Sequence, residues 1–256
     1  MKTLATAIQK GGQGKTFVTC HLAFDFYERG LRVVVIDLDI QGNASFTLQE
    51  HQCGLTSSEL FTLKAPSLRR RLQEHQENGF SGLSLVNVDP SLANLEKMKL
   101  SDAARSLQSS VSVLGEFFDV CLIDTPPSLG VPMTSALLAA DYTLSPIQLE
   151  AYSLQGMKQM VSIIGNLRQQ NPALSFLGMV PNMVDARKPR HLSNLLWLKK
   201  TYPQLIMPVS IGLRDSIAEA LGQKIPVWKV RKTAARKASQ EVRSMADLVY
   251  KMMEIE

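Results

Sequence analysis

The sequence predicts an α/β protein, a single domain built on a mostly parallel sheet with helices covering both faces. Two continuous apolar runs, Val33-Val34-Val35-Ile36 and Val120-Cys121-Leu122-Ile123, have the character of strands buried on both faces. Strand-like and helix-like segments alternate along the chain, which implies parallel pairing through helical crossovers. A glycine-rich turn joins the first strand to the first helix.

In chain order, residues 4–8 read as a short buried strand and 15–29 as a helix, closed by Gly30 as glycine commonly closes helices. Residues 32–37 are the first β-branched run. The stretch 49–82 is polar and reads as irregular, with Arg69-Arg70-Arg71 as a solvated helix face. A strand follows at 84–88, a helix at 101–116 and the second apolar strand at 118–124. Further strands are expected at 142–146, 176–181 and 206–211, with helices between them and a last helix over 233–253. No internal repeat or linker divides the chain, so residues 1–256 are taken as one domain.

The composition agrees with this reading. Of 256 residues, 45% are hydrophobic and 20% charged, ordinary values for a soluble globular protein. No apolar run approaches the ~18 residues of a membrane-spanning helix, and the N-terminus is too short an apolar run for a signal peptide. The three cysteines, Cys20, Cys53 and Cys121, are far apart and lack a C-x-x-C pattern. That fits a reducing cytoplasm and argues against a thiolate metal or iron–sulfur site. Cys20 and Cys121 read as small core residues. The net charge of +5 suits a polyanionic partner.

The chemistry concentrates in Lys10-Gly11-Gly12-Gln13-Gly14-Lys15-Thr16, between a strand and a helix. There backbone N–H groups converge on an anion at the helix N-terminus, and glycines let the backbone approach phosphate. Lys15 would reach the β- and γ-phosphates of a nucleotide and Thr16 would ligate Mg²⁺. The strict P-loop pattern asks for glycine at position 9, where this chain has Gln9. Asp124, at the end of a buried strand and before Thr125-Pro126-Pro127, is the expected metal-side carboxylate. Asp37 and Asp39 end the other apolar strand on one side of it, and one of them is suited to positioning a water for in-line attack.

Together these segments resemble the ParA/MinD family of deviant P-loop ATPases over nearly the whole chain. The resemblance rests on the loop at 10–16, Asp37-x-Asp39-x-Gln41-Gly42-Asn43, Asp119-Val120 with Asp124-Thr125-Pro126-Pro127, and Pro146-Ile147-Gln148-Leu149-Glu150. It implies a Mg-dependent ATPase whose Lys10 crosses a homodimer interface to touch the partner's nucleotide. It also implies that Asp39 positions the attacking water, that Asp37 supports the metal site with Thr16 and Asp124, and that Gly11, Gly12, Gln13, Gly14, Lys15, Thr16 and Phe17 cradle ATP. Asn182 is the expected adenine contact. Phe17 departs from a frequent threonine and Ile40 from a frequent proline.

Residues 209–227 resemble the C-terminal segment of the plasmid and chromosome partition ATPases of the ParA/Soj type. That implies an ATP-bound dimer on nonspecific double-stranded DNA, released when a ParB-type centromere-binding protein stimulates hydrolysis, and a cytoplasmic, nucleoid-associated location. The charge distribution supports DNA independently: Arg214, Lys224, Lys229, Arg231, Lys232, Arg236 and Lys237 form a basic cluster, with Lys199 and Lys200 before it. Few aromatic residues accompany it, which disfavours single-strand stacking.

The alternative within the family is a MinD-like positioning ATPase that dips a C-terminal amphipathic helix into a membrane. The tail over 245–256 ends in acid, which an anionic surface repels, so Leu248, Val249, Met252 and Met253 are expected to pack on the domain. An iron-protein-like reductase lacks its paired cysteines here. The first strand begins near residue 4, so no N-terminal helix-turn-helix is expected and no operator binding.

Overall fold

The computed structural model describes residues 1–79, 81–150 and 153–255. Its strands are β1 (Lys2–Thr6), β2 (Val33–Asp37), β3 (Gln52–Thr56), β4 (Leu83–Asn87), β5 (Val120–Asp124), β6 (Tyr142–Ile147) and β7 (Ser175–Pro181). The helices are α1 (Lys15–Glu28), α2 (Asn43–Thr47), α3 (Glu59–Thr62), α4 (Ala65–Glu77) and α5 (Leu100–Leu114), followed by α6 (Val131–Ala139), α7 (Ser153–Leu167), α8 (Pro189–Thr201), α9 (Asp215–Gly222) and α10 (Ala235–Met252). Short 3₁₀ turns lie at Gln49–His51, Pro90–Lys97 and Val227–Lys229.

Seven strands form one sheet in the order β3-β4-β2-β5-β1-β6-β7, and every pairing between them is parallel. The alternation of side chains then divides the core in two. Val34, Ile36, Cys121 and Ile123 face one layer with α4, α5, α6 and α7. Val33, Val35, Val120 and Leu122 face the other, with α1 and α10. Both faces are covered, as a parallel sheet requires.

Two expectations are corrected. The stretch 49–82 is ordered where it is described: it holds β3, α3 and α4. β3 is an edge strand whose inward residues are only Cys53 and Leu55, and α4 buries only Leu68 and Leu72. So little apolar periodicity left both unmarked. Conversely, 206–211 is not a strand. This segment touches the edge strand through a single bridge, Ile206 with Met179, and a second bridge, Val184 with Gly212, lies just beyond both. Pro208 has no N–H to give a continuous ladder.

The other expected strands and helices are present with ends shifted by at most two residues. Arg69, Arg70 and Arg71 lie on the outer face of α4, paired with Glu116, Glu74 and Glu59. All three cysteines are buried free thiols.

α10 lies against α1. It buries Ala238, Val242, Met245, Ala246 and Val249, and Met253 beyond it is also buried. Leu248 is half-buried, but Met252 turns outward at 37% exposure, contrary to the expected packing. Glu256 lies outside the described residues. Arg243 of α10 pairs with the fully buried Asp25 and with Glu28 of α1, and stacks 3.6 Å from the centre of the Trp228 ring. Asp25 also accepts from Arg29 at 2.6 Å, so this buried carboxylate is paired twice. Among the described residues, no helix is long and apolar enough to cross a membrane.

Candidate functional site

The parallel register brings Thr6, Asp124 and Asp37 side by side on three adjacent strands, at their C-terminal ends. Such ends are where open α/β sheets place ligands. The loop after β1 takes positive φ at Gly12 (71°) and Gly14 (95°), and Gly14 caps α1. A methyl group at Gly14 would lie 2.2 Å from Nδ2 of Asn182, so both backbone angle and space demand glycine.

Two distant side chains hold this loop. Asn182, 2% exposed, donates from Nδ2 to the Gln13 carbonyl at 2.7 Å. The Gln148 N–H donates to Gln13 Oε1 at 2.9 Å, and its Nε2 donates to the Gly12 carbonyl at 2.8 Å. Gln13 is thus buried beneath the loop, with its side chain spent on Gln148. Asn182 sits behind the loop, and the neighbouring Met183 lines the cleft. Gln148 belongs to a quoted motif but carried no role in the sequence reading, because its partners are far away in the chain.

Lys15 is 7% exposed, and burial lowers its pKa against the opposing pull of Asp124 and Asp39. Thr16 donates from Oγ1 to Asp124 Oδ2 at 2.6 Å. Asp124 is fully buried, and burial together with Asp37 raises its pKa well above the ordinary carboxylate range. Asp37 is also raised, to about 6, chiefly by burial, although Ser45 donates to its Oδ2 from both N–H and hydroxyl at 2.7 Å. The Asp39 N–H donates to Asp37 Oδ1 at 3.1 Å. Ser45 is a second residue that sequence reasoning missed, since nothing in its local pattern marks it.

Lys15, Thr16 and Asp39 open on a cleft of about 430 Å³, with Asp37 and Asp124 buried behind them. Its lining combines polar groups, Gly11, Gly12, Gly14, Lys15, Thr16 and Asp39, with the apolar side chains of Phe17, Phe46, Met183 and Leu221. A ligand with an anionic end and a flat apolar end matches both. Lys10 is exposed, outside this lining.

Among the described residues no three His, Cys, Asp or Glu side chains form a ready-made metal cage. Mg²⁺ does not need one, since it is commonly held by one or two carboxylates, a hydroxyl, waters and substrate phosphates. The residues fit that use: Oδ1 of Asp124 is buried without a hydrogen-bond partner, beside the Thr16 hydroxyl and within a group of mutually repelling carboxylates.

The basic residues separate into two sets. Arg214 is forked onto Glu241 at 2.6 Å, Lys229 pairs with Glu28 at 3.4 Å, and Lys232 with Glu219 at 2.7 Å. Lys224 lies over the Phe46 ring, with Nζ 4.6 Å from its centre. Arg231, Arg236 and Lys237 are exposed and carry no ion pair among the described residues.

Comparison with known proteins gives a consistent picture. A family described as AAA domain matches residues 1–176. Protein IncC of Escherichia coli is 67% identical over 255 residues, covering 100% of this chain and 70% of that protein. The chromosome partitioning protein ParA of Myxococcus xanthus is 33% identical over 232 residues, covering 87% and 80% of the two chains. Among solved structures, the Cyanothece McdA–ATP complex superposes with a TM-score of 0.78 at 22% identity, over 97% of this chain and 96% of that one; this likeness bears on the fold alone.

Proposed function

The chain belongs to the AAA-domain family, among the partition proteins of the IncC and ParA kind with the ParA/MinD-type P-loop ATPase fold, and from that membership we propose that it hydrolyses ATP to ADP and phosphate and uses the cycle to control its hold on DNA. The observation that carries this reading is a cleft lined by Lys15, Thr16 and Asp39 together with apolar Phe17, Phe46, Met183 and Leu221, with Asp124 bonded to Thr16 behind it.

In this reading the amides of 11–16 cradle the phosphates at the start of α1. The Lys15 ammonium, partly desolvated, offsets their charge more strongly than it would in water. Thr16, with Asp124 and Asp37 behind it, would hold Mg²⁺, which when bound screens the phosphate charge. Asp39 stands at the cleft wall, with Oδ1 accepting the Gln41 N–H at 3.1 Å, and orients the attacking water. Asn182 and Gln148 keep the loop in place. Phe17 and Met183 offer the base an apolar surface, and the adenine contact expected of Asn182 gives way to a role beneath the loop.

Lys10 faces outward, where a second copy of the chain can receive it at its own phosphates; the ATP-bound homodimer is then the DNA-binding form. Arg231, Arg236 and Lys237 supply the free cations for nonspecific duplex, and a ParB-type partner stimulates turnover and release. Membrane recruitment is not favoured, because the apolar side of α10 is occupied by the domain.

Gel-shift titrations of random duplex with ATP, ADP and no nucleotide test this directly. Binding with ATP alone is expected, with light scattering reporting a dimer that Lys10→Ala lacks. Equal binding in all three conditions would remove the switch.

A further inference from the structure

Lys224 differs from its basic neighbours in place and in backbone. It follows α9, whose Leu221 and Gly222 form part of the cleft wall. Its φ is +59°, one of three positive values at non-glycine residues among those described, an arrangement that strains an L-residue. Held this way, the side chain turns to Phe46, with Nζ 4.6 Å from the ring centre.

Phe46 is itself unusual. It belongs to the short α2, lines the cleft and is 54% exposed. A large aromatic side chain left open at the mouth of a cleft marks a surface with something to meet. Its neighbour Ser45 is fixed to Asp37 by two hydrogen bonds, so the ring is carried on a segment tied to the phosphate end.

The geometry points to Lys224 and Phe46 as nucleotide-binding residues. Phe46 is part of the apolar lining of the cleft, and the Lys224 ammonium, parked over its ring in the free protein, meets the nucleotide that lies against it. The inference rests on the nucleotide reading of the cleft and takes Lys224 out of the DNA-binding set. A cation over an aromatic face at a surface is held only weakly, so a nucleoside triphosphate competes for it easily. The strain at φ +59° is consistent with a residue kept for where its side chain points.

The test measures two affinities on the same variants. A fluorescent ATP analogue is titrated into wild type, Lys224→Gln, Lys224→Arg and Phe46→Leu, and the salt dependence of random-duplex binding is recorded at saturating ATP. Lys224→Gln and Phe46→Leu are expected to weaken the analogue about three- to tenfold, Lys224→Arg to restore it, and the DNA salt slope to stay at the wild-type value. An unchanged analogue affinity in Lys224→Gln overturns the inference; if the DNA slope also falls by about one, Lys224 is a DNA contact after all. The nucleotide reading fails in a different way: wild type would then not bind the analogue, and Lys15→Ala would match it.

Discussion

Thr16 donates a 2.6 Å hydrogen bond from its hydroxyl to Oδ2 of Asp124, while the second oxygen of that buried carboxylate is left without a partner. A half-satisfied buried charge, pressed further by Asp37, is a cost in the free protein. Asp124→Asn keeps an acceptor for Thr16 and removes the charge. The variant is expected to be more stable than wild type by about 1–3 kcal/mol without ligand, read as a higher melting temperature. Its ATP turnover should fall by about 100-fold or more, read by phosphate release.

His21 supplies a pH dependence. It is fully buried, with Nδ1 3.0 Å from the Phe17 carbonyl and Nε2 accepting the Val227 N–H at 3.1 Å. Those two partners require the neutral ring with its proton on Nδ1, and burial lowers the pKa from 6.5 to about 4. Between those values the unfolded chain binds the proton and the folded one does not. Stability present above pH 6.5 is therefore lost as pH falls toward 4, by about 3 kcal/mol from this residue. Urea unfolding at pH 7 and pH 4.5 should show a smaller drop in His21→Gln than in wild type; an equal drop would refute it.

Asn182 is predicted to act through the loop. Asn182→Ala leaves the Gln13 carbonyl without its 2.7 Å donor, which costs about 1–3 kcal/mol if the loop stays put. ATP affinity should fall roughly tenfold, with an unaltered preference for ATP over GTP. A selective loss of that preference, measured by competition, would instead make Asn182 a base contact.

The basic residues should not behave alike. Arg236→Gln and Lys237→Gln are expected each to reduce the salt slope of DNA binding by about 0.9, without affecting the melting temperature. Arg214 is forked onto Glu241 in a partly buried pair. Arg214→Gln should lower stability by about 1 kcal/mol, and any weaker DNA binding should follow from that loss.

What the sequence made legible was local. β2 and β5 stood out because every residue in them is buried and all but the last, Asp37 and Asp124, are apolar. The phosphate loop was equally plain, as its glycines, Lys15 and Thr16 are contiguous. β3 escaped notice because an edge strand buries little, and 206–211 was over-read because its apolar residues pack without a ladder across Pro208. Gln148 and Asn182 reach Gln13 from 135 and 169 residues away. Only the fold makes those two clamps visible. The basic cluster was visible as charge, but which carboxylates occupy it was not: Glu28 reaches Lys229 from α1, while Glu219 and Glu241, within and just after the cluster, take Lys232 and Arg214 only once the chain is folded.

The crowding at Gly14 has a genetic consequence. A side chain there is opposed twice, by the Asn182 amide in front of it and by its own φ of 95°. Trimming Asn182 clears the collision but leaves the backbone angle, and relaxing the angle drags α1 off its start. Gly14→Ala should therefore be a lesion for which a screen for second-site revertants returns only true reversion.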